Sequence, residues 1–264
     1  EQTGAYAMGR FSIADPLKLV LGARWTRWQQ SAAGVRSRMP SQLTPYGGLV
    51  YSVDPNWSAY ASYSRILDPQ TKYDWSGRAL EPVQGNNLEA GLKGELLDKR
   101  LNLNFALFEI RQRNRAIADP AHPCVGNNCW YVASGEVRSR GFEAEAGGHL
   151  GPNLSLSASY TWNTTRYLRD AQNQGLPLAS FAPRQILRTW LNYRMPFDAG
   201  RWSLGGGLQV QSGFYNQAQG VRLSQGGYAL ANLQLGYRIT PKVSAALHVN
   251  NLADRRYYQS LSGT

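Results

Sequence analysis

Residues 153–163 read Asn-Leu-Ser-Leu-Ser-Ala-Ser-Tyr-Thr-Trp-Asn, with apolar and polar side chains in strict alternation. Successive side chains of an extended strand point to opposite faces, so this stretch has one apolar face and one polar face. Such alternation predicts a β-strand whose two faces meet different surroundings.

The same alternation recurs along all 264 residues of the chain. It predicts about twelve strands, and no segment shows the 3.6-residue period of an amphipathic helix. The predicted strands cover about 4–13, 18–28, 43–53, 57–64, 88–93, 101–107, 136–147, 154–162, 185–195, 202–211, 231–238 and 243–250. Many of them are longer than the five or six residues that are usual in soluble sheets.

The connections between the predicted strands alternate between short turns and long loops. The short turns contain Asp, Pro and Gly, which supply turn conformations. The long loops cover about 31–42, 66–85, 114–134, 166–183, 213–227 and 253–264. Short turns at one end and long loops at the other are typical of transmembrane barrels. Aromatic residues such as Trp57, Tyr63 and Tyr160 lie near the ends of apolar faces, as expected at membrane interfaces.

Composition excludes several classes of protein. No stretch approaches the roughly 20 consecutive apolar residues that a membrane-spanning helix needs. The chain is 11% aromatic and only 17% charged, which argues against intrinsic disorder. The formal net charge of +11 comes from scattered Lys and Arg residues, so we expect no nucleic-acid ligand. Scattered positive charge fits a surface that meets phosphorylated lipid, or a lumen that attracts an anionic ligand.

Six stretches, taken in order, resemble the TonB-dependent ferric-siderophore receptors. They are ASYSRILDPQ (61–70), GRALEPVQG (77–85), LEAGLK (88–93), NFALF (104–108), VRSRGFEAE (137–145) and NNLADRRYY (250–258). The resemblance implies an all-β, antiparallel transmembrane β-barrel of roughly 22 strands, filled by an N-terminal plug. About twelve of those strands would lie in this chain.

The resemblance also implies a function and a location. We expect import of a ferric siderophore across the outer membrane of a Gram-negative bacterium, by a monomer that draws energy from the inner-membrane TonB complex. Residues 1–264 would be a C-terminal portion of the barrel, because neither a plug nor an energy-coupling box precedes Glu1 and no final strand follows Thr264. We expect no intrinsic cofactor, no protein-bound metal and no enzymatic activity.

Alternative functions remain open at this point. A self-contained barrel of twelve strands, such as an autotransporter translocator or a small-solute channel, fits the strand count but not the elaborate loops. A barrel hydrolase would need a triad around His248, and no serine has a nucleophile-elbow context. Within the resembled family, residues 80–86 follow the siderophore-type pattern rather than that of a haem receptor. Transport of cobalamin or nickel stays open as an alternative.

Aromatic residues on or beside the long loops are the predicted ligand contacts. A siderophore coordinates its own iron, so the protein must supply aromatic walls and hydrogen-bond donors rather than metal ligands. The alternative for each residue is packing within its own loop. The candidates are Tyr73, Trp75, Trp130, Tyr131, Tyr167, Phe181, Phe214 and Tyr215.

Cys124 and Cys129 enclose four residues in a long loop. We predict a disulfide between them, because an oxidising compartment favours the bond. Closing so small a loop stabilises by about 2 kcal/mol in the chain-entropy model. A metal site is disfavoured, since His122 alone cannot complete tetrahedral ligation.

Charged residues divide between the two faces. One set lies on the polar faces and is expected either to form a structural network of the inner wall or to respond to plug movement. Its members are Glu89, Lys93, Glu95, Glu143, Glu145 and Arg238. Beyond the apolar faces, a second set is predicted to bind lipopolysaccharide phosphates, or to be solvated rim charge: Arg111, Arg113, Arg115, Arg138 and Arg140.

Overall fold

The computed structural model describes residues 1–32, 35–38, 41–126, 128–218 and 221–261 and consists almost entirely of antiparallel β-strands. The strands are β1 (Gln2–Ala14), β2 (Leu17–Ala32), β3 (Val35–Arg38), β4 (Gln42–Ser52), β5 (Trp57–Asp68), β6 (Val83–Leu96), β7 (Leu101–Ala118), β8 (Tyr131–His149), β9 (Leu154–Arg169), β10 (Gln185–Arg194), β11 (Trp202–Gln211), β12 (Phe214–Ala218), β13 (Val221–Gln225), β14 (Tyr228–Thr240) and β15 (Val243–Val249). One 3-10 turn covers Asp198–Gly200. Across the described ranges, none of the helical structure could cross a membrane.

Twelve strands form a continuous path in which each strand pairs with its neighbour. The order is β1-β2-β4-β5-β6-β7-β8-β9-β10-β11-β14-β15. This confirms the predicted all-β, antiparallel architecture and its number of strands. Three further strands occur where long loops were predicted: β3 extends β2 as a hairpin, and β12 pairs with β13. Parts of the predicted loops, residues 33, 34, 39, 40, 127, 219, 220 and 262–264, lie outside the described residues.

The register of the strands makes the apolar face continuous across the sheet. Ala90 on β6 lies opposite Leu107 on β7, which lies opposite Phe142 on β8, which lies opposite Trp162 on β9. Because facing side chains alternate with a period of two, the neighbouring rows are polar. A single apolar surface therefore spans neighbouring strands.

No other part of the described chain covers this apolar face. Leu107 is 65% exposed and Leu247 is 64% exposed. The buried hydrophobic residues among those described are few: Leu80, Val83, Ala106, Val137, Phe214 and Tyr228. A soluble domain of this length would bury a contiguous apolar core. The exposed face is what the sequence predicts for a surface that meets lipid.

Glycines on the polar face lie beneath aromatic rings of adjacent strands. A Cβ atom on Gly91 would lie 2.2 Å from the Phe105 carbonyl oxygen and 2.7 Å from the Tyr60 ring. Farther along the same face, on β11, a Cβ atom on Gly207 would lie 2.3 Å from the Trp190 ring. Only glycine allows this close approach, and the rings consequently lie flat against the wall.

Short turns and long loops lie at opposite ends of the strands, as predicted. In the turn before β5, the Asp54 carboxylate accepts hydrogen bonds from the backbone N–H groups of Asn56 and Trp57, at 2.7 and 2.8 Å. These bonds satisfy donors that no neighbouring strand can reach.

At the opposite end, the predicted loops 66–85, 114–134 and 166–183 are shorter in the structure than predicted. β5 continues to Asp68, β7 to Ala118 and β9 to Arg169. Above the apolar belt both faces of a strand can meet water, so alternation disappears although the strand pairing continues.

A charged residue in the centre of the apolar face should destabilise the protein. Leu92, which is 46% exposed, lies between Ala59 and Phe105 in this row. We expect Leu92→Arg to lower the free energy of unfolding in lipid vesicles by about 2–4 kcal/mol, since the guanidinium must enter hydrocarbon.

The matched control is Ser62→Arg, on the polar face opposite Glu89. It should change the free energy of unfolding by less than about 1 kcal/mol. Tryptophan fluorescence during urea unfolding of the intact protein measures both. Equal destabilisation by the two variants would contradict the assignment of the faces.

Candidate functional site

Two long loops pack against each other and form what we call the first loop cluster, defined by Lys72, Tyr73, Trp75, His122 and Tyr131. Loop 69–82 joins β5 to β6, and loop 119–130 joins β7 to β8. The Trp75 ring stacks on the His122 ring, with centroids 4.5 Å apart and planes inclined by 5°. The Tyr131 backbone N–H donates to the Tyr73 carbonyl oxygen at 3.1 Å. The Lys72 ammonium lies 4.6 Å from the centre of the Tyr131 ring.

Asp119 holds His122 in position for this stacking. Its carboxylate oxygen Oδ2 lies 2.8 Å from His122 Nδ1, and its Oδ1 accepts the backbone N–H of Ala121 at 2.9 Å. The His122 hydrogen bond, followed by the Ala121 bond, holds the pKa of Asp119 below its usual range. Both bonds stabilise the ionised carboxylate, so the ionised form is the one that orders this loop.

Asp74 orders the other loop in a similar way. Its Oδ1 accepts the Ser76 hydroxyl at 2.7 Å and the Arg78 backbone N–H at 2.9 Å. These two hydrogen bonds lower the pKa of Asp74, with that from Ser76 contributing most. The exposed Trp75 ring therefore lies in a tight turn rather than in an extended segment.

A disulfide joins Cys124 and Cys129 at the tip of loop 119–130. Inside it, the backbones of Val125 and Asn128 exchange hydrogen bonds of 2.9 and 3.1 Å. At the base of the loop, the Asp119 N–H donates to the Trp130 carbonyl oxygen at 2.9 Å. The loop is thus closed both at its tip and at its base.

A second loop cluster comprises Tyr167, Phe181, Phe214, Tyr215 and Arg222. The Tyr215 backbone N–H donates to the carbonyl oxygen of Ser180 in loop 170–184, at 2.8 Å. The Arg222 guanidinium carbon lies 3.9 Å from the centre of the Tyr215 ring, which places the cation over the ring face. Phe181 is 58% exposed, whereas Phe214 is only 4% exposed.

The eight predicted ligand residues therefore fall into two groups of four. Tyr73, Trp75, Trp130 and Tyr131 lie on or beside loops 69–82 and 119–130, and Tyr167, Phe181, Phe214 and Tyr215 lie on or beside loop 170–184 and the β12–β13 hairpin. Among the residues that the structure describes, no hydrogen bond or ring contact joins the two groups.

Exposure separates the candidates further. Trp75 and Phe181, at 62% and 58%, are the most exposed of the eight and can offer a ring face to a ligand. Phe214, at 4%, is buried and offers little ring surface.

Two cations beside these rings were not predicted from the sequence. Lys72 and Arg222 each lie over a tyrosine ring, of Tyr131 and Tyr215 respectively. The sequence feature that could have identified Lys72 as part of the site is its position immediately before Tyr73. Both clusters thus combine aromatic faces with fixed positive charge, a combination that suits a polar, anionic ligand.

The polar face of the sheet carries acidic groups below the loops. The Tyr60 hydroxyl donates to Glu89 Oε1 at 2.7 Å, and the Lys93 ammonium lies 5.0 Å from the centre of the Tyr60 ring. A cavity of about 740 Å³ lies along this wall, lined by residues that include Lys93, Glu95, Asn104, Glu145 and Ser157. The wall is polar enough to be hydrated or to contact a polar partner.

The described residues contain no group of three or more His, Cys, Asp or Glu side chains placed to hold a metal ion. The contact between Asp119 and His122 supplies two potential ligands at most. The groups that the loops offer are aromatic faces, ammonium and guanidinium cations and backbone donors.

Comparison with known proteins places these features in a family. Residues 1–252 match the model for the TonB-dependent receptor-like β-barrel. The chain is 37% identical over 278 residues to the ferric-pyoverdine M114 receptor PbuA of a Pseudomonas species (strain M114), covering 99% of the chain and 33% of that protein. It is 34% identical over 275 residues to the ferripyoverdine receptor of Pseudomonas aeruginosa, covering 98% and 33%.

Solved structures give the same result. The crystal structure of the outer-membrane ferripyoverdine receptor of Pseudomonas aeruginosa, bound to ferripyoverdine, matches with a TM-score of 0.86 at 33% identity, covering 97% of the chain and 35% of that chain. The alcaligin outer-membrane receptor FauA of Bordetella pertussis matches with a TM-score of 0.77 at 37% identity, covering 95% and 42%. The chain spans about a third of the length of the curated relatives that it matches.

Acidification should loosen loop 119–130. The folded-state pKa of Asp119 is lowered, so its contribution to loop order is present above the unfolded pKa of about 3.9 and is lost as pH falls through the folded value. We expect hydrogen exchange at the Ala121 amide, corrected for the intrinsic rate, to accelerate between pH 5 and pH 2.5.

Asp119→Asn is the matched variant, because it keeps the shape and removes the titration. Its Ala121 amide should already exchange fast at pH 5 and should respond little to acid. Asp74→Asn should leave the response of Ala121 intact. A wild-type amide whose protection does not change with pH would refute the role of the Asp119 carboxylate.

Proposed function

The chain belongs to the TonB-dependent receptor family, and from that premise we propose that it forms part of a receptor that binds a ferric siderophore and imports it. In this proposal the chelate is the transported ligand, and the protein acts on it as a transporter rather than as an enzyme. The observation that carries the proposal is the pair of loop clusters, which combine exposed rings with cations at the long-loop end of a barrel sheet.

The two loop clusters suit this ligand chemically. A ferric siderophore is a bulky chelate with polar and charged edges, so aromatic faces can pack against it while Lys72 and Arg222 attract its negative groups. We propose Tyr73, Trp75, Trp130, Tyr131, Tyr167, Phe181 and Tyr215 as contacts. Phe214, buried beside Tyr215, is proposed to support the second cluster.

The domain organisation and partners of the whole protein are part of the same proposal. Residues 1–264 would form the C-terminal portion of the receptor barrel, in agreement with the third of each curated relative that the chain covers. We propose that the protein is a monomer in the outer membrane of a Gram-negative bacterium, coupled to the inner-membrane TonB complex and surrounded by lipopolysaccharide. The family of these relatives argues against a self-contained barrel of twelve strands.

The relatives suggest which chelates to test. Two of them are a ferric-pyoverdine receptor and a ferripyoverdine receptor, and another, the ferrioxamine B receptor of Salmonella typhimurium, is 31% identical over 267 residues. A titration of the intact protein with ferripyoverdine, ferrioxamine B, ferrichrome and haem, followed by tryptophan fluorescence, identifies the class of ligand. A flat response to every iron chelate would refute the proposal.

Removing an exposed loop ring should weaken binding of the chelate. We expect Trp75→Ala or Phe181→Ala to raise the Kd for the preferred ferric siderophore at least tenfold, because each variant removes a large packing surface. Phe197→Ala is the matched control, since Phe197 is similarly exposed, at 56%, but lies at the short-turn end. An equal loss of affinity in the control would contradict the site.

Import should depend on energy from the inner membrane. Uptake of ⁵⁵Fe bound to the preferred siderophore should fall to background in cells that lack TonB or are treated with a protonophore, whereas binding to the cell surface should persist. Uptake that continues at the same rate under both treatments would show passive passage and would contradict the proposed mechanism.

A further inference from the structure

Three arginines lie side by side across three adjacent strands. Arg111 on β7 is the direct cross-strand partner of Arg138 on β8, and Arg138 is the partner of Arg166 on β9. On the next strand, β6, Asn86 lies opposite Arg111. Directly opposed side chains lie about 4.5–5.5 Å apart at Cβ. We call Arg111, Arg138 and Arg166 the arginine row.

The arginine row shares its face with the apolar surface. On β8, Arg138, Arg140 and Phe142 are two residues apart and therefore point to the same face. Phe142 lies between Leu107 on β7 and Trp162 on β9 in the apolar surface. The row therefore stands two residue pairs above the apolar belt, at the long-loop end of the strands. Side chains at this height are where the lipid headgroups begin.

The sequence analysis placed Arg115 in the same set, and this placement is wrong. The register shifts between Gln112 and Arg115, where Asn114 has a φ of 60°. The bulge turns the Arg115 side chain to the polar side, and its guanidinium donates to the Gln112 side chain at 2.8 Å. Arg111 and Arg113 keep the alternation of Leu107.

Protein carboxylates neutralise only part of the charge on this face. Arg111 lies 2.7 Å from Glu109, and Arg113 lies 3.7 Å from Glu136. Within the described ranges, no ion pair involves Arg138, Arg140 or Arg166. Like charges directly opposite each other destabilise a strand pair. A bound anion would remove this repulsion.

We infer that the arginine row is a binding site for the phosphate groups of a phosphorylated lipid in the outer leaflet. The inference rests on the proposed function only in that it requires an outer-membrane location. A guanidinium presents a planar fork of N–H donors that matches phosphate oxygens in pairs. Three guanidinium groups on adjacent strands can bind more than one phosphate of a single headgroup.

Continuity with the apolar belt favours a lipid over free phosphate. A headgroup held by Arg138 would place its acyl chains along Phe142 and Leu107, which are 37% and 65% exposed. Free phosphate would gain nothing from this surface. The acyl chains and the phosphates of one molecule would thus be recognised by neighbouring rows of the same sheet.

Native mass spectrometry of the intact protein in detergent tests the inference. The probes are bis-phosphorylated lipid A, its dephosphorylated form with the same acyl chains, and inorganic phosphate as competitor. The test variant combines Arg111→Gln, Arg138→Gln and Arg166→Gln. The control variant removes the same charge from the polar face through Arg24→Gln, Arg188→Gln and Arg238→Gln, whose cross-strand partners include Thr44, Ser159 and Ser244.

We expect the test variant to bind bis-phosphorylated lipid A at least tenfold more weakly than the wild type, and the control variant to stay within twofold. Dephosphorylated lipid A should bind weakly to all three proteins. Arg138→Lys, which keeps the charge but loses the fork, should weaken binding about threefold. This single variant also covers the case in which the triple variant fails to fold.

Three results would overturn the inference. They are unchanged binding in the test variant and Arg138→Lys, an equal loss in the control variant, or displacement of the lipid by equimolar inorganic phosphate. Siderophore titration of the test variant separates the two proposals, because the arginine row takes no part in chelate binding. Normal lipid binding by a protein that binds no chelate would refute the proposed function alone.

Discussion

The need of every backbone N–H and C=O group for a partner governs this structure. Hydrocarbon offers no hydrogen bonds, so a chain that crosses it as strands must pair each strand with its neighbours. Twelve strands of the chain do so in order. Pairing then fixes register, and a slip of one residue would turn Leu107 and Phe142 towards the polar side. The faces, the turns and the loop positions all follow from this ladder.

Sequence alone predicts the positions of the paired strands wherever the two faces of a strand differ in polarity. The alternation in 154–162 and its repeats located all twelve strands of the main path. Above the belt, where both faces can meet water, the upper parts of β7 and β9 carry no alternating signal and were predicted as loops. The bulge that turns Arg115 depends on the positive φ of Asn114, and the alternation of polar and apolar residues carries no signal for this conformation.

The candidate site was predicted as a set of residue types on loops, not as an arrangement. Aromatic side chains marked the loops, but the stacking of Trp75 on His122 joins residues 47 positions apart and depends on tertiary packing. The same is true of the contact between Ser180 and Tyr215. Both contacts exist because strands extend above the belt and carry the loops as rigid supports.

The proposed outer-membrane location would expose loop 119–130 to the surroundings of the cell, where the covalent link between Cys124 and Cys129 has a consequence. An extracellular protease that hydrolyses a peptide bond between these two residues leaves both new ends attached through sulfur. The polypeptide is then nicked but not severed, and the hydrogen bond between Asp119 and Trp130 at the base is undisturbed. Proteolytic cleavage at the tip of the loop therefore does not detach either end of the loop from the protein.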